Sequence, residues 1–443
     1  MFSRKNSIYG IIRGKRYRKV LDRYSELNRN QWLPSDKIAE LSWQKTKKTI
    51  LYSYKNVEYY HSLFKGAGLH PSDIKDPIDM LKIPITTKQD IKRNYPHKII
   101  SRKVGKTDWH PHSTSGSTGE PFEFAVDHNL NIGRSARDLL AYEWALKHKR
   151  DKIVFITGAR EKNSITRLIN RYLRRRLIIS AFEIHSTKDL EDYIEKIERF
   201  HPNSIMGYVS SLTVMAQYLA NHDRSLGGSI RSVIPAGETV SESYKRLLEE
   251  RIGPVFRRYG CREFGSIAGE CDHHQGHHVH AESFFIEIIK NGENADYREK
   301  GEIILTNTEN LALPFVRYSM GDISTLIENR CSCGRGLPLL GDIEGRIVSL
   351  VKTPKGKLIS VHYLTLLFED YGKYFTQFQA IQKTPNYMEL LIVPTRNVDQ
   401  KVVDFIHTQL QDYVGDDFEI EIRQVDSIPL GPTGKRELVR SEL

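Results

Sequence analysis

Cysteine is scarce in this chain: four among 443 residues are too few for the disulfide framework of a small secreted domain. No stretch comes near the roughly 18 uninterrupted apolar residues of a spanning helix, which excludes an integral helical membrane protein. The opening residues, MFSRKNSIYGIIRGKRYRKV, hold no apolar core of the length a secretory signal requires. The common nucleotide loop GxxxxGK[ST] is missing, and so are the standard nucleic-acid-binding motifs. We therefore expect a reducing, cytoplasmic setting and no specific nucleic-acid partner.

The chain is long enough for two or three domains of about 100–200 residues. Hydrophobic residues make up 39% and charged residues 27%, an ordinary balance that argues against disorder. The net charge of +11 points to polyanionic company, such as nucleotides or the acidic inner face of a membrane. Part of the excess is local, between Arg4 and Lys19 and again at Arg167, Arg171, Arg174, Arg175 and Arg176. The basic excess suits a solvated face, a membrane-surface contact through Ile8, Tyr9, Ile11 and Ile12, or nucleic-acid binding, for which none of the standard motifs is present.

The first hundred or so residues read as helical, with Ile50, Leu51, Tyr54, Val57 and Tyr60 at helical spacing. From about residue 150, strands alternate with helices. The strands are Lys152–Thr157, Ser204–Val209, Ser232–Ala236 and Val255–Tyr259; the helices fall near Leu190–Phe200, Leu212–Leu219 and Tyr244–Glu250. Such alternation predicts an α/β fold with a parallel sheet flanked by helices, and ligands beyond the carboxyl ends of its strands. Beyond about residue 347, strands at Phe378–Gln382, Met388–Val393 and Phe418–Val425 with a helix near Val402–Leu410 predict a small α+β domain. The expected division is 1–346, with 1–110 mainly a helical lead-in, and 347–443.

Two local patterns carry chemistry. His112–Pro121 (HSTSGSTGEP) is dominated by serine, threonine and glycine. Such a loop can turn backbone N–H groups and hydroxyls onto phosphate oxygens, although a flexible hairpin has the same composition. Cys271, His278, Cys331 and Cys333 supply thiolates and an imidazole suited to tetrahedral Zn²⁺. His273, His274 and His277 are alternative imidazoles, and Cys261 reads as a small buried residue.

In order along the chain stand Ser113–Pro121, Ala236-Gly237-Glu238, Tyr259-Gly260 with Glu263, Tyr318-Ser319 with Gly321-Asp322, Gly345-Arg346 and Gly434-Lys435. This series resembles the adenylate-forming enzymes, nearest their phenylacetate–coenzyme A ligase branch, which includes relatives in capsular and exopolysaccharide biosynthesis. The resemblance spans nearly everything from residue 30 and implies a large α/β domain with a small mobile C-terminal lid. It further implies ATP-dependent activation of a small carboxylate through an acyl-adenylate, with pyrophosphate released.

By that resemblance, Thr114, Ser115, Gly116, Ser117, Thr118 and Gly119 hold the phosphates, and Glu263 with Thr118 serves Mg²⁺. Gly237, Glu238, Tyr259 and Gly260 line the nucleotide site, Asp322 takes the ribose hydroxyls, and Arg346 meets the ribose or α-phosphate. Lys435 neutralises the charge that develops during adenylation. Tyr208, Val209 and Ser210 line the substrate pocket. Some members of the branch carry zinc at positions matching the Cys/His set. Coenzyme A is the default acceptor, with a sugar or amine as the alternative, and the assembly is a monomer or homodimer. Two departures bear on the acceptor: Val348 and Ser349 replace the usual acidic pair after the hinge arginine, and Phe122 follows the loop proline. A non-catalytic nucleotide-binding relative is the contrasting reading.

Overall fold

The computed structural model describes residues 14–114, 122–145, 151–157, 170, 175–180, 187–237, 240, 242–343, 350–355, 358–360, 364, 367–368, 374–394, 398–428 and 439–443. The chain falls into two units. The first comprises Met1–Ser113, Glu123–Lys147 and Phe256–Gly345, and the second Thr114–Phe122, His148–Val255 and Arg346–Leu443.

In the first unit, helices Gly14–Asn30, Ser35–Asn56 and Glu58–Gly66 precede two antiparallel sheets. Ile50, Val57 and Tyr60 are buried, but the continuous helical spacing expected across them breaks at the extended Val57, and Leu51 is 40% exposed. Adjacent residues project about 100° apart on a helix, so Ile50 and Leu51 cannot share the inner face. One sheet orders Leu326–Ile327, Leu339–Leu340, His277–Val279, Gly265–Gly269 and Arg258–Cys261; the other orders Glu293–Asn294, Phe284–Lys290, Gly301–Asn307 and Phe315–Ser324. Helix His128–Ala145 buries Leu130, Gly133, Arg137, Leu140, Ala141 and Trp144, an apolar stripe interrupted by one cation.

The second unit holds the expected parallel sheet, ordered Arg176–Ser180, Ile153–Thr157, Ser204–Tyr208 and Ser232–Ala236. Helices Thr187–Phe200, Val209–Asn221 and Glu242–Arg251 supply the crossovers, and Leu190, Ile194, Ile197 and Phe200 join Val154, Ile205 and Val233 in one core. The last expected strand needs correction. Val255 makes only a parallel bridge to Val233. Regular pairing resumes at Arg258–Cys261, antiparallel to Gly265–Gly269. The antiparallel sheets between residues 256 and 345 were not anticipated, because their pairing is long-range.

The C-terminal segments build the α+β arrangement. Strands Phe375–Thr384 and Tyr387–Pro394 form an antiparallel hairpin; Glu419–Gln424 and Val439–Ser441 add in parallel at its two edges. Met388, Leu390 and Ile392 alternate inward against Val403, Ile406 and Leu410 of helix Gln400–Val414, the period-two and helical patterns meeting at one core. The Asp399 side chain caps that helix by accepting from Lys401 N at 3.0 Å. Among the described residues, no helix is long and apolar enough to cross a membrane.

The buried cation of helix His128–Ala145 is paired. Arg137 donates to Glu309, which also accepts from Arg23 at 3.3 Å and Ser283 Oγ at 2.7 Å. Burial alone would raise the Glu309 carboxyl, but the Arg137 and Arg23 charges win and hold it below its ordinary 4.5. Its folded value lies under its unfolded one, so the stabilisation is complete above about pH 4.5 and fades as pH falls through the folded value. Glu309→Gln is expected to cost about 3–5 kcal/mol at neutral pH by leaving buried guanidinium charge uncompensated. It should also flatten the acid side of the stability profile. Thermal unfolding of both proteins between neutral and acid pH checks both effects.

Candidate active site and metal centre

In the first unit, Tyr259 lies on strand Arg258–Cys261 and Asp322 on Phe315–Ser324, in different sheets. The register between Gly301–Asn307 and Phe315–Ser324 slips between Glu302 and Ile304, where Met320, Gly321 and Asp322 face a single partner residue. Gly321 has φ +69° within this bulge. Bulges re-aim side chains, and here Asp322 reaches Tyr259, whose hydroxyl donates to Oδ2 at 2.9 Å. Burial first, then the Asp322 charge, pushes the Tyr259 phenol well above its ordinary value, so it remains a donor.

Gly260 and Glu263 follow Tyr259 directly. Glu263 is 8% exposed, a hard carboxylate oxygen donor of the kind Mg²⁺ takes. Cys261 is partly exposed rather than buried as expected from sequence. Burial around its sulfur, and then the Glu263 charge, raise the Cys261 thiol well above its ordinary range. It is therefore a neutral neighbour and a poor nucleophile.

In the second unit, Tyr208 and Ala236 pair at the carboxyl ends of adjacent parallel strands. Gly237 follows with φ +85°, and a Cβ there would stand 3.2 Å from Tyr208 Cδ1, so the turn favours glycine twice over. Tyr208 stays partly exposed, whereas Val209 is fully buried at the start of helix Val209–Asn221. Ser115, Gly116, Ser117, Thr118, Gly119, Glu238, Arg346 and Lys435 lie outside the described residues, as do the side chains of Thr114 and Ser210.

The cysteine and histidine set converges within the first unit. Strand His277–Val279 lies between Gly265–Gly269 and Leu339–Leu340, with His278 opposite Leu339. Cys271 follows one flanking strand, and Cys331 and Cys333 precede the other. A tetrahedral zinc ion with Zn–S of about 2.3 Å and Zn–N of about 2.0–2.1 Å needs S···S edges of about 3.8 Å and S···N edges of about 3.5 Å. Cys271 and Cys331 sulfurs are 3.7 Å apart, and Cys333 Sγ is 3.4 Å from His278 Nε2. All four ligand atoms fall within 4.8 Å of one another.

The alternative imidazoles are engaged elsewhere: His273 Nδ1 lies 2.7 Å from Ser332 Oγ, His274 3.5 Å from Glu270, and His277 Nδ1 3.0 Å from Gly341 O. Burial, then the Arg335 charge, lowers the His278 imidazole to about 3, leaving it neutral, the form that ligates. This donor set and its spacing fit a closed, structural zinc site.

Sequence reasoning missed Arg134 and Arg137, which bond to the backbone around Glu263. The available signal was Arg137 itself, a cation on the apolar stripe of Leu130, Leu140 and Trp144.

A family model described as the CapK C-terminal domain matches residues 351–442. Phenylacetate-coenzyme A ligase of Escherichia coli strain K12 is 29% identical over 308 residues, 66% of this chain and 68% of that protein. Protein CapK of Staphylococcus aureus is 23% identical over 439 residues, 96% of this chain and 93% of its own. The fold is similar to that of 2-hydroxyisobutyryl-CoA ligase crystallised with 2-HIB-AMP and CoA, with a TM-score of 0.63 at 17% identity, covering 94% of this chain and 92% of that one. By these likenesses the chain is similar to the phenylacetate–coenzyme A ligases of the adenylate-forming superfamily, which supports an adenylate-forming ligase.

Proposed function

We propose that this ligase joins a small carboxylate to AMP and then passes the acyl group to a thiol, by default that of coenzyme A. A carboxylate oxygen attacks the α-phosphorus of ATP and pyrophosphate leaves. The protein's task is alignment and charge neutralisation. The observation that carries this reading is the Tyr259–Asp322 hydrogen bond of 2.9 Å, which joins two distant segments assigned by resemblance to one nucleoside.

In this reading Thr114 to Gly119 hold the phosphates, Gly237, Glu238, Tyr259 and Gly260 the adenine, and Asp322 the ribose. Glu263 and Thr118 would hold Mg²⁺, which when bound neutralises phosphate charge. Arg346 meets the ribose or α-phosphate, and Lys435 meets the charge developing between the reactants. Tyr208, Val209 and Ser210 border the carboxylate. Val209, being fully buried, would act only through the packing behind that wall. Cys271, His278, Cys331 and Cys333 would hold Zn²⁺, which when bound would tie the chain after strand Gly265–Gly269 to the turn before Leu339–Leu340. The proposed catalytic division is 1–346 and 347–443.

A second reading follows from the resemblance to relatives in capsular and exopolysaccharide biosynthesis: the acyl or uronic acid group goes to a sugar or amine. The basic N-terminus would suit work at the inner face of an acidic membrane. Incubation with ATP, Mg²⁺ and phenylacetate as first probe, with and without coenzyme A, tests the proposal by mass spectrometry. Acyl-AMP without the thiol and an acyl thioester with it are expected. ADP and orthophosphate as the products would overturn the proposal.

A further inference from the structure

Helix His128–Ala145 presents two arginines, one turn apart, to the loop that carries Glu263. The Arg134 guanidinium donates from a single nitrogen to the carbonyls of Arg262, at 2.5 Å, and of Glu263. These are the carbonyls on the two sides of the Glu263 Cα, so both peptide planes that orient this residue are tied to one side chain. Arg137 continues the series, donating to Phe264 O at 2.6 Å and Ser266 O at 2.9 Å. Four carbonyls between residues 262 and 266 thus end on two guanidinium groups, each such charge-assisted bond being stronger than a neutral one.

The surroundings are shaped for this clamp. Gly265 has φ +72°, and a Cβ there would stand 3.0 Å from Arg134 Cγ, so the loop lies against the arginine stem. A Cβ on Gly133, beside Arg134 in the helix, would collide with the Glu309 carboxylate. That carboxylate bonds to Arg137 and so permits a fully buried guanidinium, which also lies over the Phe284 ring at 4.7 Å. The Arg134 charge is also felt at His112, the residue ahead of Ser113. Burial, and next the Arg134 charge, lower the His112 imidazole from its ordinary value. Arg134 therefore acts on the Glu263 loop by hydrogen bonds and on His112 by its charge.

We propose that Arg134 and Arg137 are positioning residues that fix the backbone at Glu263 and so aim its carboxylate at the metal–phosphate group of bound ATP. The inference rests on the reading of Glu263 as the Mg²⁺ ligand. A misplacement of about 1 Å in such a group can cost about 100-fold in rate, so a loop pinned at four carbonyls has functional weight beyond its stability.

The test is the affinity of the full-length protein for ATP, measured by calorimetry with Mg²⁺ and again in EDTA. The variants are Arg134→Met, Arg134→Lys, Glu263→Gln and the Arg134→Met/Glu263→Gln double. Methionine keeps the packing on Gly265 and removes every donor; lysine keeps one donor centre and the charge. Glu263→Gln is expected to lose about tenfold of the affinity gained from Mg²⁺, and Arg134→Met a similar factor, with the two losses not adding because one acts through the other. Lysine should restore most of the gain, and affinities in EDTA should change less than about twofold, since the metal-independent contacts are untouched. If Arg134→Met does not fold, Arg134→Gln takes its place in the cycle. Should Glu263→Gln lose the Mg²⁺ gain while folded Arg134 variants keep it, or should the losses add, the positioning role is overturned and the Glu263 reading survives. A Glu263→Gln variant with the full Mg²⁺ gain would overturn both.

Discussion

Stripping the protein with a strong chelator is expected to remove one zinc ion and to lower the melting temperature on the order of 10 °C. The reasoning starts from the ligands. Cys271, Cys331 and Cys333 come from two segments about sixty residues apart, and their thiols sit among the Gly14–Asn30 and His128–Ala145 helix residues Tyr24, Leu140 and Trp144. Burial pushes the Cys271 thiol up to about 12, a state in which a polar hydrogen is confined for little return. A divalent cation reverses that balance by taking the thiolates and cross-linking the two segments. Cys271→Ser and Cys333→Ser should each lose the metal and most of the stability increment, whereas Cys261→Ser should lose neither. Elemental analysis together with melting curves before and after chelation measures this. A protein purified without zinc, whose melting curve ignores both zinc and chelator, would contradict it.

Lys435→Ala is expected to cut adenylate formation by about 100–1,000-fold, the range for removing a donor aimed at charge that develops in a transition state. Its effect on ATP affinity should be small. A lysine that met ATP equally in the ground and transition states would change binding instead, so the split between the two quantities identifies its role. Equilibrium binding of ATP and single-turnover formation of AMP, measured on the same variant, make the comparison. A large loss of affinity with an unchanged rate would assign Lys435 to simple phosphate binding.

How far the chain could be read from its residues depended on the range of the forces involved. Ile153–Thr157 and Ser232–Ala236 were legible because short apolar runs between helical repeats have one stable solution, a buried parallel strand. Helix Gln400–Val414 and the alternating Tyr387–Pro394 strand were legible for the same local reason. Arg258–Cys261 was not: Val255–Tyr259 (VFRRY) reads as one strand, and nothing local records that the chain leaves one sheet and pairs antiparallel with Gly265–Gly269.

At the site, chemistry left a clearer record than position. Cysteine and histidine suit a metal where they converge, and His278 Nε2 lies with the three sulfurs while His273, His274 and His277 have other partners. The Tyr259–Asp322 contact depends on a bulge that register alone creates. Arg134 and Arg137 act on backbone carbonyls, which every residue carries, so no partner signature could appear in the sequence.

Exchange of labelled pyrophosphate into ATP, run across a panel of carboxylic acids, tests the central chemistry most directly. Exchange that requires both Mg²⁺ and one class of carboxylate, and that Lys435→Ala abolishes, is the expected result. Tight ATP binding with no exchange for any acid, or ATP split to ADP and orthophosphate, would contradict it.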